Sequence, residues 1–134
     1  MNKEFIPFEL ALEMFNIGFD EPCEKFQWID QDKPKWMGIT NSPTKLHTQK
    51  YWTENNDLYT ISIPTFSQCF RWFREKYNLH SNISSWRSDD NLSFYHEFEI
   101  YSLTSSHSAG DEYSTYEEAE IACLKKLIEI VKGK

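Results

Sequence analysis

The chain has little glycine, an odd number of cysteines and no long apolar run. Its 134 residues include four glycines, so a Gly-rich loop that cradles phosphate with backbone N–H groups is not expected. The cysteines (Cys23, Cys69 and Cys123) are spaced unlike any zinc or redox motif, and three of them do not suggest a disulfide scaffold. No apolar segment approaches the roughly 20 residues of a membrane span. We therefore expect no membrane partner and no cofactor.

The N-terminal residues 1–14 do not have the pattern of a secretory signal. Glu4, Glu9 and Glu13 lie where the uncharged apolar region of a signal peptide would be. The expected location is the cytoplasm.

Basic residues are outnumbered by acidic ones. The chain contains 14 Lys and Arg residues and 21 Asp and Glu residues, which gives a net charge of −7. Such a chain is repelled by phosphate backbones and anionic lipid, so binding to either would need a local basic patch. The composition therefore argues against nucleic acid and favours a protein partner.

Aromatic residues are abundant. Ten Phe, seven Tyr and five Trp make up 16% of the chain and can bury large areas. The length is typical of one domain with its own core. We predict a single globular domain over residues 1–134, and the sequence leaves its oligomeric state open.

Three helices are expected. Pro7 and Gly18 suit the start and the C-terminal cap of a first helix over about 7–16. A second helix begins at Thr65 and ends near Asn78. Its apolar stripe follows helical spacing: Phe66, Cys69, Phe70, Phe73 and Tyr77. The third helix follows a capping box, made by Ser114 with Glu117 or by Thr115 with Glu118.

Strand patterns lie between the helices. The pattern predicts strands near residues 26–28, 46–52, 59–63, 81–87 and 93–103. It predicts a loop or an irregular hairpin over residues 30–43 and a loop over residues 104–112. The predicted fold is α+β, with an antiparallel sheet of about five strands, three helices packed on it and the order α-β-β-β-α-β-β-α.

Three segments of the chain carry a family resemblance. They are FIPFELALEM with GFDEPC in residues 5–23, PTFSQCFRWFREKYNL in residues 64–79 and YSTYEEAEIACLKKLIEIVK in residues 113–132. They resemble a family of small uncharacterised proteins from Bacteroidetes bacteria and their phages or mobile elements. The resemblance implies a phage-related or mobile-element accessory protein and supplies no catalytic residues.

The order from Thr65 to Lys132 also resembles the α-β-β-β-α layout of double-stranded RNA-binding domains, if a third strand precedes Tyr113. Those domains carry lysines at the start of the last helix. Here Glu117 and Glu118 occupy that place, and like charges would repel RNA.

No catalytic or metal-binding motif is present. The histidines (His47, His80, His96 and His107) show no ligand spacing with one another or with Cys. Cys69 and Cys123 fall on predicted buried stripes, where a thiol is inert, whereas Cys23 follows a turn and could be exposed. If the chain is an enzyme with an unrecognised site, Glu97, Glu99 and His96 are the first suspects.

A local basic patch lies on the second helix. Arg71, Trp72 and Arg74 lie away from the centre of its apolar stripe. A part-exposed Trp beside Arg is typical of protein-binding hot spots, whereas the alternative is that Trp72 packs inward and the arginines are solvated. The leading hypothesis is a small non-enzymatic protein-interaction module that uses these three residues. The alternatives are a nucleic-acid-associated protein using the same patch, and an enzyme.

Overall fold

The computed structural model describes residues 4–30, 33–39, 50–52, 57–108 and 111–133. Within them the elements are α1 (Phe8–Asn16), β1 (Lys25–Asp30), β2 (Lys33–Ile39), β3 (Lys50–Trp52), β4 (Asp57–Ile63), α2 (Phe66–Tyr77), β5 (His80–Arg87), β6 (Phe94–Tyr101), β7 (Ser106–Ser108) and α3 (Tyr116–Lys132). They group into two compact units, Met1–Thr65 and Phe66–Lys134. The expectation of one domain over residues 1–134 stays a prediction.

The first unit is an antiparallel sheet with one helix. Its strand order is β2-β1-β4-β3. β1 and β2 form a hairpin whose register shifts between Gln27 and Ile29, so the irregular hairpin considered for residues 30–43 is confirmed over β2. α1 packs on β4 through buried residues of both elements: Leu10, Ala11, Met14, Ile61 and Ile63.

Gly18 ends α1 in a backbone conformation that favours glycine. Its φ is 98°, and its N–H bonds the carbonyl of Phe15 at 3.0 Å. The N–H of Phe19 bonds the carbonyl of Met14 at 2.9 Å, which completes a Schellman motif. The predicted cap is therefore confirmed.

Gly18→Ala is expected to lower the free energy of unfolding by about 1–2 kcal/mol, because a Cβ disfavours positive φ. Gly133→Ala is the matched control. Gly133 has φ −79°, and a Cβ there would meet neighbouring atoms at an ordinary 3.6 Å. Urea unfolding of both variants measures the difference, and equal stabilities would contradict the strain argument.

The second unit has the order α2-β5-β6-β7-α3. Its sheet is an antiparallel meander in which β6 is central. The third strand that the α-β-β-β-α layout requires before Tyr113 is confirmed as β7, and the interpretation of residues 106–108 as part of a loop was wrong. A three-residue strand of Ser, His and Ser carries no apolar alternation, so pairing with β6 alone defines it.

α3 covers one face of this sheet and contacts α2. Thr115 caps α3, since its hydroxyl accepts a hydrogen bond from the N–H of Glu118 at 3.1 Å. Of the two cap residues that the sequence offered, Ser114 and Thr115, the cap is therefore Thr115. The inward side chains of α3 meet Phe98 and Ile100 of β6 in a close-packed core. The buried residues of α3 are Ala119, Glu120, Cys123, Leu124, Leu127 and Ile128.

The predicted α+β class, with three helices and antiparallel strands, is confirmed within the described residues. The strands divide into a four-stranded and a three-stranded sheet instead of one sheet of about five. Each strand pairs with strands on its own side of α2 in the sequence, as short connections favour. Alternation shows which segments are strands but not which strands pair.

Part of the predicted strand at 46–52 is present as β3, while residues 46–49 lie outside the described residues, as do residues 53–56 between β3 and β4. In the part of the chain that the structure describes, no helix is both long enough and apolar enough to cross a bilayer.

Candidate functional site

The three residues expected to bind a partner on α2 do not share one environment. Arg71 and Arg74 are exposed, whereas Trp72 is 3% exposed. Of the two possibilities that the sequence left open for Trp72, inward packing is therefore confirmed and part exposure was wrong. The use of Arg71 and Arg74 in binding stays a prediction.

Helical geometry explains the burial of Trp72. It lies three residues after Cys69 and therefore on the same side of the helix. The buried stripe of α2 is Phe66, Cys69, Trp72 and Phe73, so it is turned toward Trp72 and away from Phe70. The Trp72 ring meets those of Phe73 and Tyr77 edge-on at centroid distances of 5.1 and 5.4 Å. The ammonium of Lys76 lies 5.2 Å from its centroid.

The suspected acid–base residues of β6 lie on opposite faces of the sheet. Glu97 and Glu99 alternate with His96, and successive strand residues point to opposite sides. His96 faces α3, where its ring meets that of Tyr116 at 5.9 Å. The structure therefore does not bring the two carboxylates and the imidazole together.

His96 has a different partner. Its Nδ1 lies 2.8 Å from the hydroxyl of Ser85, directly opposite on β5. A serine nucleophile needs a base, a group that orients the base, and oxyanion donors. The His96 ring lies against the ring of Tyr116, and an aromatic ring cannot orient a catalytic imidazole as a carboxylate does. The pair is best explained as a hydrogen bond at the edge of the core.

All three cysteines are buried free thiols. Cys23 is 1% exposed, so the expectation that it could be exposed was wrong. Its Sγ donates to the carbonyl of Glu21 at 3.5 Å. Burial raises the pKa of the Cys123 thiol to about 12, against a smaller opposing effect of its hydrogen bond with Ser81. A thiol in that state is a poor nucleophile.

The face of the second sheet opposite α3 carries aromatic side chains and carboxylates. We call this surface the outer face. Directly opposite residues of antiparallel strands share a face, and four such pairs form the outer face: Trp86 with Tyr95, Ser84 with Glu97, Asn82 with Glu99 and His80 with Tyr101. Trp86 is 52% exposed and Tyr101 is 43% exposed.

Acidic groups surround one end of the outer face. The pKa of Tyr95 is raised, first by partial desolvation and then by the negative charges of Glu97, Glu112 and Asp89. These charges act together on one phenol, so the outer face carries a negative field beside its aromatic rings.

Several large apolar side chains of the second unit are exposed. They lie on the second sheet, in its two hairpin loops or at the start of α3: Trp86, Leu92, Phe94, Tyr101, Leu103 and Tyr116.

The sequence pattern located the outer face without marking it as a site. The alternation of Tyr95, Glu97, Glu99 and Tyr101 indicates one strand face. The missed residue is Trp86. Its place opposite Tyr95 depends on the register between β5 and β6, and the Asp89-Asp90-Asn91 turn was the signal that could have fixed that register.

Comparison of the chain with protein-family models, curated proteins and solved structures gave no match.

Proposed function

We propose that this chain is a small, non-enzymatic, cytoplasmic protein-interaction module whose partner binds the outer face. The observation that carries the proposal is the row of Trp86, Tyr95 and Tyr101 on a sheet face turned away from α3. Trp and Tyr supply large contact areas with little loss of side-chain entropy, and they dominate binding hot spots. Leu92 and Leu103, exposed in the two hairpin loops at the ends of β6, would add apolar contact area.

The basic patch of α2 supports a second candidate, a nucleic-acid-associated protein. Arg71 and Arg74 are exposed on the helix that opens the α-β-β-β-α unit. Against it stand the net charge of −7 and the exposed Glu117 and Glu118 in the first turn of α3. A gel-shift assay separates the two, because phosphate binding is strongest at low salt and falls steeply as salt rises. An absence of any shift at low salt would end this candidate.

The resemblance of residues 5–23, 64–79 and 113–132 to small proteins of Bacteroidetes phages and mobile elements supports an accessory role in such an element. Under this proposal the gene lies among phage or mobile-element genes. A location among housekeeping genes in the source genome would count against it.

The interaction module is tested by a tagged pull-down from a native host lysate, with and without nuclease, read by mass spectrometry. Two double variants serve as a matched pair: Trp86→Ala with Tyr101→Ala, and Arg71→Ala with Arg74→Ala. All four positions are exposed, so circular dichroism should show both variants folded. We expect the aromatic variant to lose a nuclease-resistant partner by about 30-fold, as removal of a hot spot does, while the arginine variant keeps it.

Other outcomes decide among the alternatives. Loss of the partner from the arginine variant alone would return the site to α2. Partners that vanish with nuclease would favour the nucleic-acid candidate. A blank with the wild-type chain would contradict the interaction module and leave the enzyme alternative.

A further inference from the structure

β5 is a long edge strand that lacks a bulge, Pro, Lys and acidic residues. It occupies one side of the β5-β6-β7 sheet in the described part of the second unit. All eight of its residues pair with β6 in one unbroken register, so no bulge twists the edge away. Its sequence, HSNISSWR, contains no Pro, Gly, Lys or acidic residue. Native edge strands usually carry at least one such feature, because open backbone groups invite another strand.

The backbone groups that face the open side of β5 follow from the hydrogen bonds of β6. His96 and Tyr113 exchange two backbone bonds of 2.9 Å on the side of β6 away from β5. Strand alternation then directs the backbone groups of Tyr95, Glu97, Glu99 and Tyr101 toward β5. Their partners on β5 are the even-numbered residues 80–86. The residues whose N–H and C=O groups point to the open side are therefore Ser81, Ile83, Ser85 and Arg87.

Short side chains separate this edge from the carboxylates of the outer face. Ser84 lies between the edge and Glu97, and Asn82 lies between the edge and Glu99. A new strand would lie about 4.8 Å from β5 and twice that distance from β6. Long cationic side chains placed opposite Ser84 and Asn82 could cross them to reach the two carboxylates. Trp86 and Tyr101 flank the carboxylates and offer ring faces to the same cations.

We propose that β5 binds an extended segment of a partner protein that carries Lys or Arg at two alternate positions and adds as a further strand of this sheet. The inference rests on the proposed function, since it names the partner of the outer face. The residues between and around the two cations would face the other side of the sheet, beside Ile83. A Val-Lys-Val-Lys-Val pattern matches both faces.

A second copy of this chain fits the edge less well. Antiparallel pairing of two β5 strands would place His80, Asn82, Ser84 and Trp86 of the copy on the outer face. Arg87, the cation of β5, alternates onto the opposite face and would not meet Glu97 or Glu99. Pairing of two chains of net charge −7 also leaves these carboxylates without a counter-charge.

The test is fluorescence anisotropy of the full chain with labelled Thr-Val-Lys-Val-Lys-Val-Thr, and with the same peptide carrying Glu in place of Lys. We expect the Lys peptide to bind saturably and the Glu peptide not to bind. Glu97→Gln with Glu99→Gln should weaken it about tenfold, since two exposed ion pairs together contribute on the order of 1.4 kcal/mol. Equal binding of the two peptides would refute charge recognition.

A proline probes the edge itself. The Ser85 N–H points to the open side, so Ser85→Pro keeps the ladder between β5 and β6 and removes a donor that an added strand needs. We expect it to weaken binding at least about tenfold. Ser85→Ala, which also loses the hydroxyl bond to His96, is the control and should bind like the wild type. Unchanged binding by a folded Ser85→Pro variant would overturn the proposal.

Sedimentation of the free chain tests the competing occupant. A dimer that Ser85→Pro dissociates would show that a second copy occupies β5 and would refute the inference. If the Lys peptide fails to bind while the Trp86→Ala, Tyr101→Ala variant still loses its partner in the pull-down, the inference fails and the proposed function stands. If that variant also keeps every partner, both fail.

Discussion

Trp72→Ala is expected to lower the free energy of unfolding by about 3–5 kcal/mol, the usual cost of truncating a buried Trp. Its ring is 3% exposed and lies against the rings of Phe73 and Tyr77. Truncation would leave a cavity beside α2 that rigid helices fill only in part. Because marginally stable domains have about 5–15 kcal/mol in total, this variant would be close to unfolding at 37 °C.

Trp86→Ala is the matched control for this prediction. Trp86 is 52% exposed on the outer face, so the same change should cost about 1 kcal/mol or less. Urea denaturation followed by circular dichroism measures both variants. Equal losses of stability would mean that Trp72 is not packed as described. If Trp72→Ala unfolds, a lost partner in a binding assay reports loss of fold, which is why the binding tests use Trp86.

The second large effect is an alkaline loss of stability that depends on Cys123. Burial raises the pKa of this thiol from 9.0 to about 12, so the folded state favours the neutral thiol. A group whose pKa is raised in the folded state stabilises it fully below the unfolded pKa. That stability is lost as pH rises between about 9 and 12. Each unit of pKa shift corresponds to about 1.4 kcal/mol, so the loss should reach about 3 kcal/mol at pH 11.

Cys123→Ala isolates this effect. The variant loses a small buried group and should be modestly less stable at pH 8. Because position 123 then has no thiol, no ionisation at this position can destabilise the variant at higher pH. Tyr95 and Tyr113 also have raised pKa values and act in the same direction in both proteins. The comparison subtracts the contribution of Tyr95 and that of Tyr113, apart from the part of the Tyr113 shift that the Cys123 charge causes. The free energy of unfolding, measured at pH 8 and pH 11, should fall about 3 kcal/mol further in the wild type than in the variant. Parallel pH profiles would contradict the burial of Cys123.

Local signals in the sequence predicted the ends of the helices. Gly18 and Asn78 both have positive φ, and both end helices where the sequence predicted an end. The choice of Thr115 over Ser114 as the cap of α3 was not predictable, because both patterns carry a Glu three residues later. Capping depends on a few neighbouring residues, and so a local pattern is sufficient to locate a helix end within about one residue.

The candidate site was harder to predict because it depends on pairing between strands. The alternation in β6 separates Glu97 and Glu99 from His96, and this separation is visible in the sequence. The presence of Trp86 beside Tyr95 is visible only once β5 and β6 are in register. Likewise, the apolar stripe of α2 could turn toward Phe70, which lies three residues before Phe73, or toward Trp72, which lies three residues after Cys69.

The sequence by itself determined the α+β class, the three helices with their ends, and the strand faces of β6, because these follow from periodicity and capping over a few residues. The tertiary structure decided the division of the strands into two sheets, the burial of Trp72 and Cys23, the short strand β7 and the open edge of β5. These features depend on which distant segments meet. Which segments meet is set by the packing of whole elements against one another. One strand register, or one buried helix face, is favoured over another by contacts between distant residues, and a local sequence pattern does not contain those contacts.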